Sequence, residues 1–181
     1  MSKDLWLVVG LGNPGSEYAG NRHNLGHMVL AELAFRVSAR FTHHPLGAHV
    51  AQGRALDSGP RLILAKPSRF MNVSGGPVAA LLNSFSLDVA RLIVIHDDLD
   101  VPFDVLRIKP GGGHGGHNGV RDIIASVGTG DFVRVRVGIG RPPGRQSASD
   151  YVLHDFAAHE RRAARAFALA ALLSNPLWAL E

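Results

Sequence analysis

Leu5-Trp6-Leu7-Val8-Val9-Gly10-Leu11-Gly12-Asn13-Pro14-Gly15 is the stretch whose reading decides the fold. A short, continuous apolar run ended by glycine is the pattern of a strand buried on both faces in a parallel or mixed sheet. Arg61 to Lys66 and Arg91 to His96 read the same way. Between these runs, Asn24 to Arg40 and Ser74 to Phe85 carry apolar residues at helical spacing, the second with Ser74 as N-cap and Pro77 tolerated in its first turn. Val50 to Leu56 and Val105 to Lys109 read as extra, less buried strands, and Phe132 to Ile139 alternates Val133, Val135 and Val137 with Arg134 and Arg136. The expected fold is α/β: one domain over residues 1–181, with a mixed, mostly parallel twisted sheet and helices on both faces. Glu160 to Leu173 reads as a closing alanine-rich helix, and Arg141 to Ser149, with two prolines, as a long loop.

The opening stretch also matches the dinucleotide-binding pattern G-x-G-x-x-G. Pro14 and Ser16-Glu17-Tyr18 delay the next helix to about Asn24, however, so no helix N-terminus would meet a pyrophosphate. Glu32 stands at the right distance for a ribose ligand but inside the helix. The pattern is therefore read as something other than a nucleotide site.

Polar text follows each buried strand: Asn13-Pro14-Gly15, then Pro67-Ser68-Arg69-Phe70-Met71-Asn72, then His96-Asp97-Asp98-Leu99-Asp100. In open α/β sheets ligands bind beyond the carboxyl ends of the strands, so these loops are expected to share one crevice. A fourth loop, Gly111 to Gly119, places six glycines around His114, His117 and Asn118. Asn118 or a neighbour caps a helix whose Val120, Ile123, Ile124 and Val127 fall at helical spacing and whose stop is Gly128. Unpaired N–H groups at such a helix start favour an anionic or carbonyl-bearing ligand.

Composition narrows the chemistry. The chain has 181 residues, no cysteine and a formal net charge of +4, so thiolate chemistry and disulfides are excluded, and nucleic acid is weakly favoured. No apolar run approaches a membrane span and no signal-peptide pattern opens the chain; a cytoplasmic location is expected. His96, Asp97, Asp98, Asp100, His114 and His117 are of metal-ligating type, but their spacing matches no zinc motif, and no metal or cofactor is expected.

Hydrolysis without a metal or cysteine needs a base for water, a group that orients the base, and donors for an oxyanion. His23, just before the first helix, is the candidate base, and Asp97 is placed to stabilise its imidazolium. Taken alone, His23 also reads as a capping or surface histidine. Asn13, Asn72 and Asn118 are neutral amides that hold a carbonyl or peptide backbone without neutralising the base.

These residues fall in motifs that resemble the bacterial-type peptidyl-tRNA hydrolases. The resemblance is carried by Gly10-Leu11-Gly12-Asn13-Pro14-Gly15, Tyr18, Arg22-His23-Asn24, Phe70-Met71-Asn72 with Ser74-Gly75, His96-Asp97-Asp98-Leu99-Asp100 with Pro102, Gly115-Gly116-His117-Asn118-Gly119, Arg136 to Pro142 and Tyr151-Val152-Leu153. It implies a monomeric, cofactor-free α/β enzyme that cleaves the ester joining a peptide to the 3′ ribose of tRNA. On that likeness His23 is the base and Asp97 its partner. Asn13 and Asn72 position substrate, Asn118 orients water or the peptide carbonyl, and Tyr18, Phe70 and His117 contact substrate. Lys109 and Arg136 clamp the tRNA 5′-phosphate; without the resemblance, Arg134 and Arg136 read as the solvated face of an antiparallel strand. The chain departs from the pattern at Asn21 for a usual threonine, His27 for a common aromatic, Asp104 for a turn glycine, and in a short end at Glu181. The competing readings are a non-catalytic RNA-binding relative of the same fold, and a nucleotide-dependent oxidoreductase resting on the glycine pattern alone.

Overall fold

A computed structural model describes residues 4–55 and 58–162. Seven strands form one sheet in the order β2-β3-β4-β1-β5-β7-β6. They are β1 (Leu5–Gly10), β2 (Thr42–His44), β3 (Ala48–Arg54), β4 (Arg61–Pro67), β5 (Leu92–Asp98), β6 (Leu106–Pro110) and β7 (Val133–Gly138). The four central strands β4, β1, β5 and β7 are mutually parallel, while β2, β3 and β6 pair antiparallel at the two edges.

Strand alternation sends side chains to two cores. Trp6, Val8, Ile93, Ile95 and the β7 valines pack with α1 (Leu25–Arg36) on one face. Leu7, Val9, Leu92 and Val94 pack with α2 (Gly75–Ser84) and α3 (Asn118–Val127) on the other. Helices on both faces therefore follow from β1 and β5 being apolar at every position of their centres.

Gly10 and Gly26 show what the opening glycines are for. A Cβ on Gly10 would run into the Gly26 carbonyl, and one on Gly26 into the Leu11 backbone. The glycines let α1 lie directly on β1, and the chain between stays irregular until a 3-10 turn at Arg22–Asn24. No helix begins where a pyrophosphate would need one.

Several local expectations are corrected. The first helix ends at Arg36, not Arg40: Ser38 takes a left-handed φ of 53° and Ala39 N–H bonds back to Ala34 C=O, which closes the helix. Ser74 stands at the N-cap position of α2, but its side chain does not bond the helix start: its hydroxyl donates to Met71 C=O, and the Asp122 carboxylate of α3 receives Gly75 N–H at 2.7 Å. β2 went unpredicted because its exposed Thr-His-His text has no apolar pattern, and only pairing with β3 makes it a strand. The proline-containing loop gives way to a short helix, α4 (Ala148–Val152), capped by the Ser147 hydroxyl. Asp104 adopts φ 62°, a conformation that aspartate tolerates better than most residues. Of the closing helix expected from Glu160 to Leu173, residues up to 162 are helical and the rest lies outside the described residues.

Candidate active site

Asp97 stands at the carboxyl end of β5, where helices on opposite faces of the sheet can both reach it. From the α1 side, His23 in the 3-10 turn brings Nδ1 to 3.0 and 3.1 Å from the two Asp97 oxygens. From the α3 side, His117 brings Nε2 to 3.0 Å from Oδ1. The hydrogen-bond pattern fixes the tautomers. His117 Nδ1 accepts from Gly119 N–H and Val120 N–H, so its proton is on Nε2 and is donated to Asp97. His117, and not Asn118, is thus the cap of α3.

His23 donates through Nδ1, which leaves Nε2 as the nitrogen free to take a proton. Burial opposes the imidazolium of His23, but the charge and hydrogen bond of Asp97 outweigh it, and the pKa lies above the ordinary histidine value. Burial would likewise raise Asp97; the attraction and hydrogen bonds of His23 and His117 reverse this and hold the carboxyl well below the usual range. Behind them His96 is in the core, 3% exposed, with Nδ1 donating to Asp97 C=O. Burial and the adjacent His117 push its pKa down to about 4, so it packs as a neutral ring.

A cleft of about 620 Å³ opens in front of this group. Asn13, His23, Phe70, Asn72, Asp97, His117 and Asn118, all singled out in the sequence, line it together. Asn13 is held on three sides: its backbone N–H and C=O bond the Asn24 side chain at 2.9 Å each, and its Oδ1 accepts Met71 N–H at 2.7 Å. Its Nδ2 is left for a ligand. Asn72, in the 3-10 turn Met71–Val73, and Asn118, in the first turn of α3, are exposed.

Other expected residues do not line the cleft. Tyr18 packs edge-on against Phe70, with ring centroids 6.2 Å apart, and reaches the cleft only through it. Lys109 is exposed on edge strand β6. Arg136 is half-buried on β7, where its Nε donates to Asp98 Oδ2 at 2.7 Å, and Asp98 is a lining residue. In the β6–β7 ladder Arg107 faces Arg136, and Lys109 faces Arg134. The solvated-face reading fails for Arg134, which is only 2% exposed.

Sequence reasoning missed Asn24 as the brace of Asn13, for which the adjoining Arg22-His23 offered no separate signal. It also missed the far wall, where Arg141, Ala148, Ser149, Val152 and Leu153 line the cleft and Arg141 pairs with Asp100. The prolines there concealed α4.

The facing atoms of His23, Asp97 and His117 lie within 4.8 Å of one another, a set of donors that suits a divalent cation. The imidazole nitrogens turned toward Asp97 are at hydrogen-bond distance, and His117 Nε2 must carry a proton while Nδ1 caps α3. The trio fits a hydrogen-bonded His-Asp-His group better than a metal centre.

Comparison with known proteins agrees with this architecture. The peptidyl-tRNA hydrolase family model matches residues 7–178. The peptidyl-tRNA hydrolase of Leifsonia xyli subsp. xyli is 63% identical over 158 residues, 87% of this chain and 82% of that protein. That of Paenarthrobacter aurescens is 56% identical over 159 residues, 88% of this chain and 82% of the relative. The crystal structure of peptidyl-tRNA hydrolase from Acinetobacter baumannii superposes with a TM-score of 0.85 at 32% identity, covering 96% of this chain and 91% of the other. With its sheet, its cleft and its ordered motifs, the chain belongs to the peptidyl-tRNA hydrolase family of enzymes.

Proposed function

We propose that the chain hydrolyses the ester between a peptide's terminal carboxyl and the 3′ ribose of tRNA, with His23 as general base and with no metal or cofactor. The observation that carries this reading is the Asp97-held His23, which lines one cleft with the amides of Asn13, Asn72 and Asn118. Water gives a proton to Nε2 as its oxygen attacks the ester carbonyl. Asp97 stabilises the imidazolium that forms, and amide N–H groups of Asn13 and Asn118 stabilise the oxyanion. Collapse expels the ribose 3′ oxygen, which takes the proton back from His23 and leaves a free peptide acid and tRNA. Asn72, with Phe70 backed by Tyr18, holds the peptide.

The tRNA end is assigned to the cationic ribbon of β6 and β7. Asp98 engages only Nε of Arg136, so the terminal nitrogens of that guanidinium and the Lys109 ammonium serve the 5′-phosphate. The whole of 1–181 is read as one domain acting as a cytoplasmic monomer without an obligate protein partner. In support, every described strand joins one sheet, and no helix of the described residues is long and apolar enough to cross a membrane.

The test is turnover of peptidyl-tRNA by the purified chain with a chelator present. Release of peptide and tRNA, lost in His23→Ala, is expected. Binding without turnover would favour the RNA-binding reading, and loss of activity with chelator would return a metal to the His-Asp-His group. Replacing Lys109 and Arg136 together by alanine should weaken tRNA substrates, spare small peptidyl-nucleotide esters, and flatten log affinity against log salt by about 0.7 to 0.9 per lost contact. Equal losses on both substrates would place the phosphate elsewhere.

A further inference from the structure

We infer that Arg134 is a positioning residue for the reaction: its buried guanidinium staples the glycine loop and the exit of α3, and so sets the place of His117 and Asn118 against Asp97. The inference rests on the proposed hydrolysis only for its kinetic readout.

Arg134 is the one arginine in the core among the described residues. None of the described carboxylates pairs with it; its terminal nitrogens donate to the carbonyls of Gly112, Gly113 and Gly130, the last at 3.1 Å. Its guanidinium carbon lies over the Phe132 ring, 4.7 Å from the centroid, and Nε has no partner. Burial, and then Arg136, oppose its charge. A buried cation answered only by carbonyl dipoles is costly, and a neutral residue would fill the same space. What the neutral residue lacks is a planar fork that can take three carbonyls from two segments at once.

Those segments are the two ends of one excursion from the sheet. The chain leaves β6 at Pro110, passes through the glycines to His114, His117 and α3, and returns past Gly130 to β7. Gly112 precedes α3 and Gly130 follows it, so the Arg134 side chain closes the unit at its base, beside one backbone bond from Gly111 N–H to Phe132 C=O at 3.0 Å. The glycine run cannot hold itself, because a Cβ at Gly113, Gly115 or Gly116 would meet nothing within 4 Å. Beyond the staple, its internal ties are local: Gly116 N–H to His114 Nδ1 at 3.0 Å, and His117 N–H to His114 C=O at 3.0 Å. His117 then spends one ring nitrogen on capping α3 and the other on Asp97. A loop loosened at Gly112 and Gly113 therefore loosens the ring that shares the catalytic carboxylate.

Arg134→Lys and Arg134→Met separate the fork from the charge. Lysine keeps a cation and loses the three-carbonyl geometry; methionine removes both and relieves the buried charge, which preserves the fold. With small peptidyl-nucleotide esters and with peptidyl-tRNA, both variants should lose about 10- to 100-fold in kcat, the scale of a small misplacement of catalytic groups, with KM changed less than about threefold. Amide exchange over residues 111–119 should quicken in both while β1 and β4 stay protected, a readout that needs no activity and survives failure of the proposed reaction. Full kcat and unchanged exchange in Arg134→Lys would overturn the inference. So would a loss confined to tRNA substrates and rescued by lysine, since that is the signature of a phosphate contact.

Discussion

On the Asn13 side of the cleft each turn is tied by a side chain from another element, whereas on the Gly111–Gly116 side the loop is tied to the sheet through Arg134. Asn24 grips both backbone groups of Asn13, Asn13 grips Met71, and Gly26 seats α1 on β1. The glycine side gathers its order at its two ends, Arg134 at the base and His117 at the cap. The cleft thus has one wall laced by side-chain bonds between its turns and one whose glycine loop is held at its ends, by Arg134 and the Gly111 N–H bond to Phe132 C=O at the base and by His117 at the cap. Misplacing groups on either wall costs rate, so the wall with fewer ties is the one on which a single positioning side chain should matter more.

The comparison makes His23 the most sensitive position. His23→Ala should lower kcat by about 10² to 10⁴ with substrate affinity little changed, because a general base acts on the transition state. Steady-state kinetics decide this: a raised KM at unchanged kcat would move His23 from chemistry to binding.

Asp97→Asn should cost less, about 10- to 100-fold in kcat, and should also move the pH profile. On the proposed mechanism His23 acts as a base only when neutral, so its raised pKa should set the acidic limb above the ordinary histidine value. Removing the carboxylate destabilises the imidazolium, and the limb should shift to lower pH. A limb that stays put would break the pair.

The amides on the two walls should then differ. Asn72→Ala should raise KM for the peptide portion by an amount worth about 1–2 kcal/mol, as expected for a lost hydrogen bond to substrate. Asn118→Ala, in the first turn of α3 beside His117, should lower kcat instead. Equal effects of both on a substrate with a single amino-acid acyl group would erase the distinction.

The smallest effect belongs beneath the firm wall. His27 packs its ring against Gly12, and its Nε2 is buried without a partner. Burial, with Lys66 and His49 nearby, pushes its pKa down to about 3. The unfolded chain binds this proton near pH 6.5 and the folded chain refuses it until about pH 3, so stability falls as pH drops through that window. His27→Phe should therefore reduce the loss of unfolding free energy between pH 7 and 5 by about 1–2 kcal/mol, with the remaining slope including His96. Denaturant titrations at the two pH values measure it, and an unchanged difference would mean that His27 takes its proton in the folded state.

His23 and His27, one helical turn apart, show the limit of reading residue types. The same side chain has its pKa raised in one place and lowered in the other: Asp97, 74 residues away from His23, raises the first, while burial with Lys66 and His49 nearby lowers the second. The β-bound loops were legible because apolar runs and their glycine stops are local. So were His23, Asp97 and the three asparagines as candidates, because polar residues at strand ends are unusual where a core is expected. Arg134 was misread because alternation assigns a face and says nothing of what covers it. Ser74 holds the N-cap position of α2, but the bond to the helix start goes to Asp122, because a nearby helix offers a charged acceptor.

By itself, then, the sequence determined the α/β order, the central parallel strands, the loops that carry polar chemistry and the family motifs, since all of these are written in short-range hydrophobic period and turn residues. The tertiary structure alone decided that a second histidine, His117, shares the Asp97 carboxylate, which arginine is buried, which side chain caps α3 and that α4 helps to wall the cleft. Those outcomes depend on side chains far apart in the chain arriving at one place with matched donors and acceptors, and burial there sets the cost of every unmatched one.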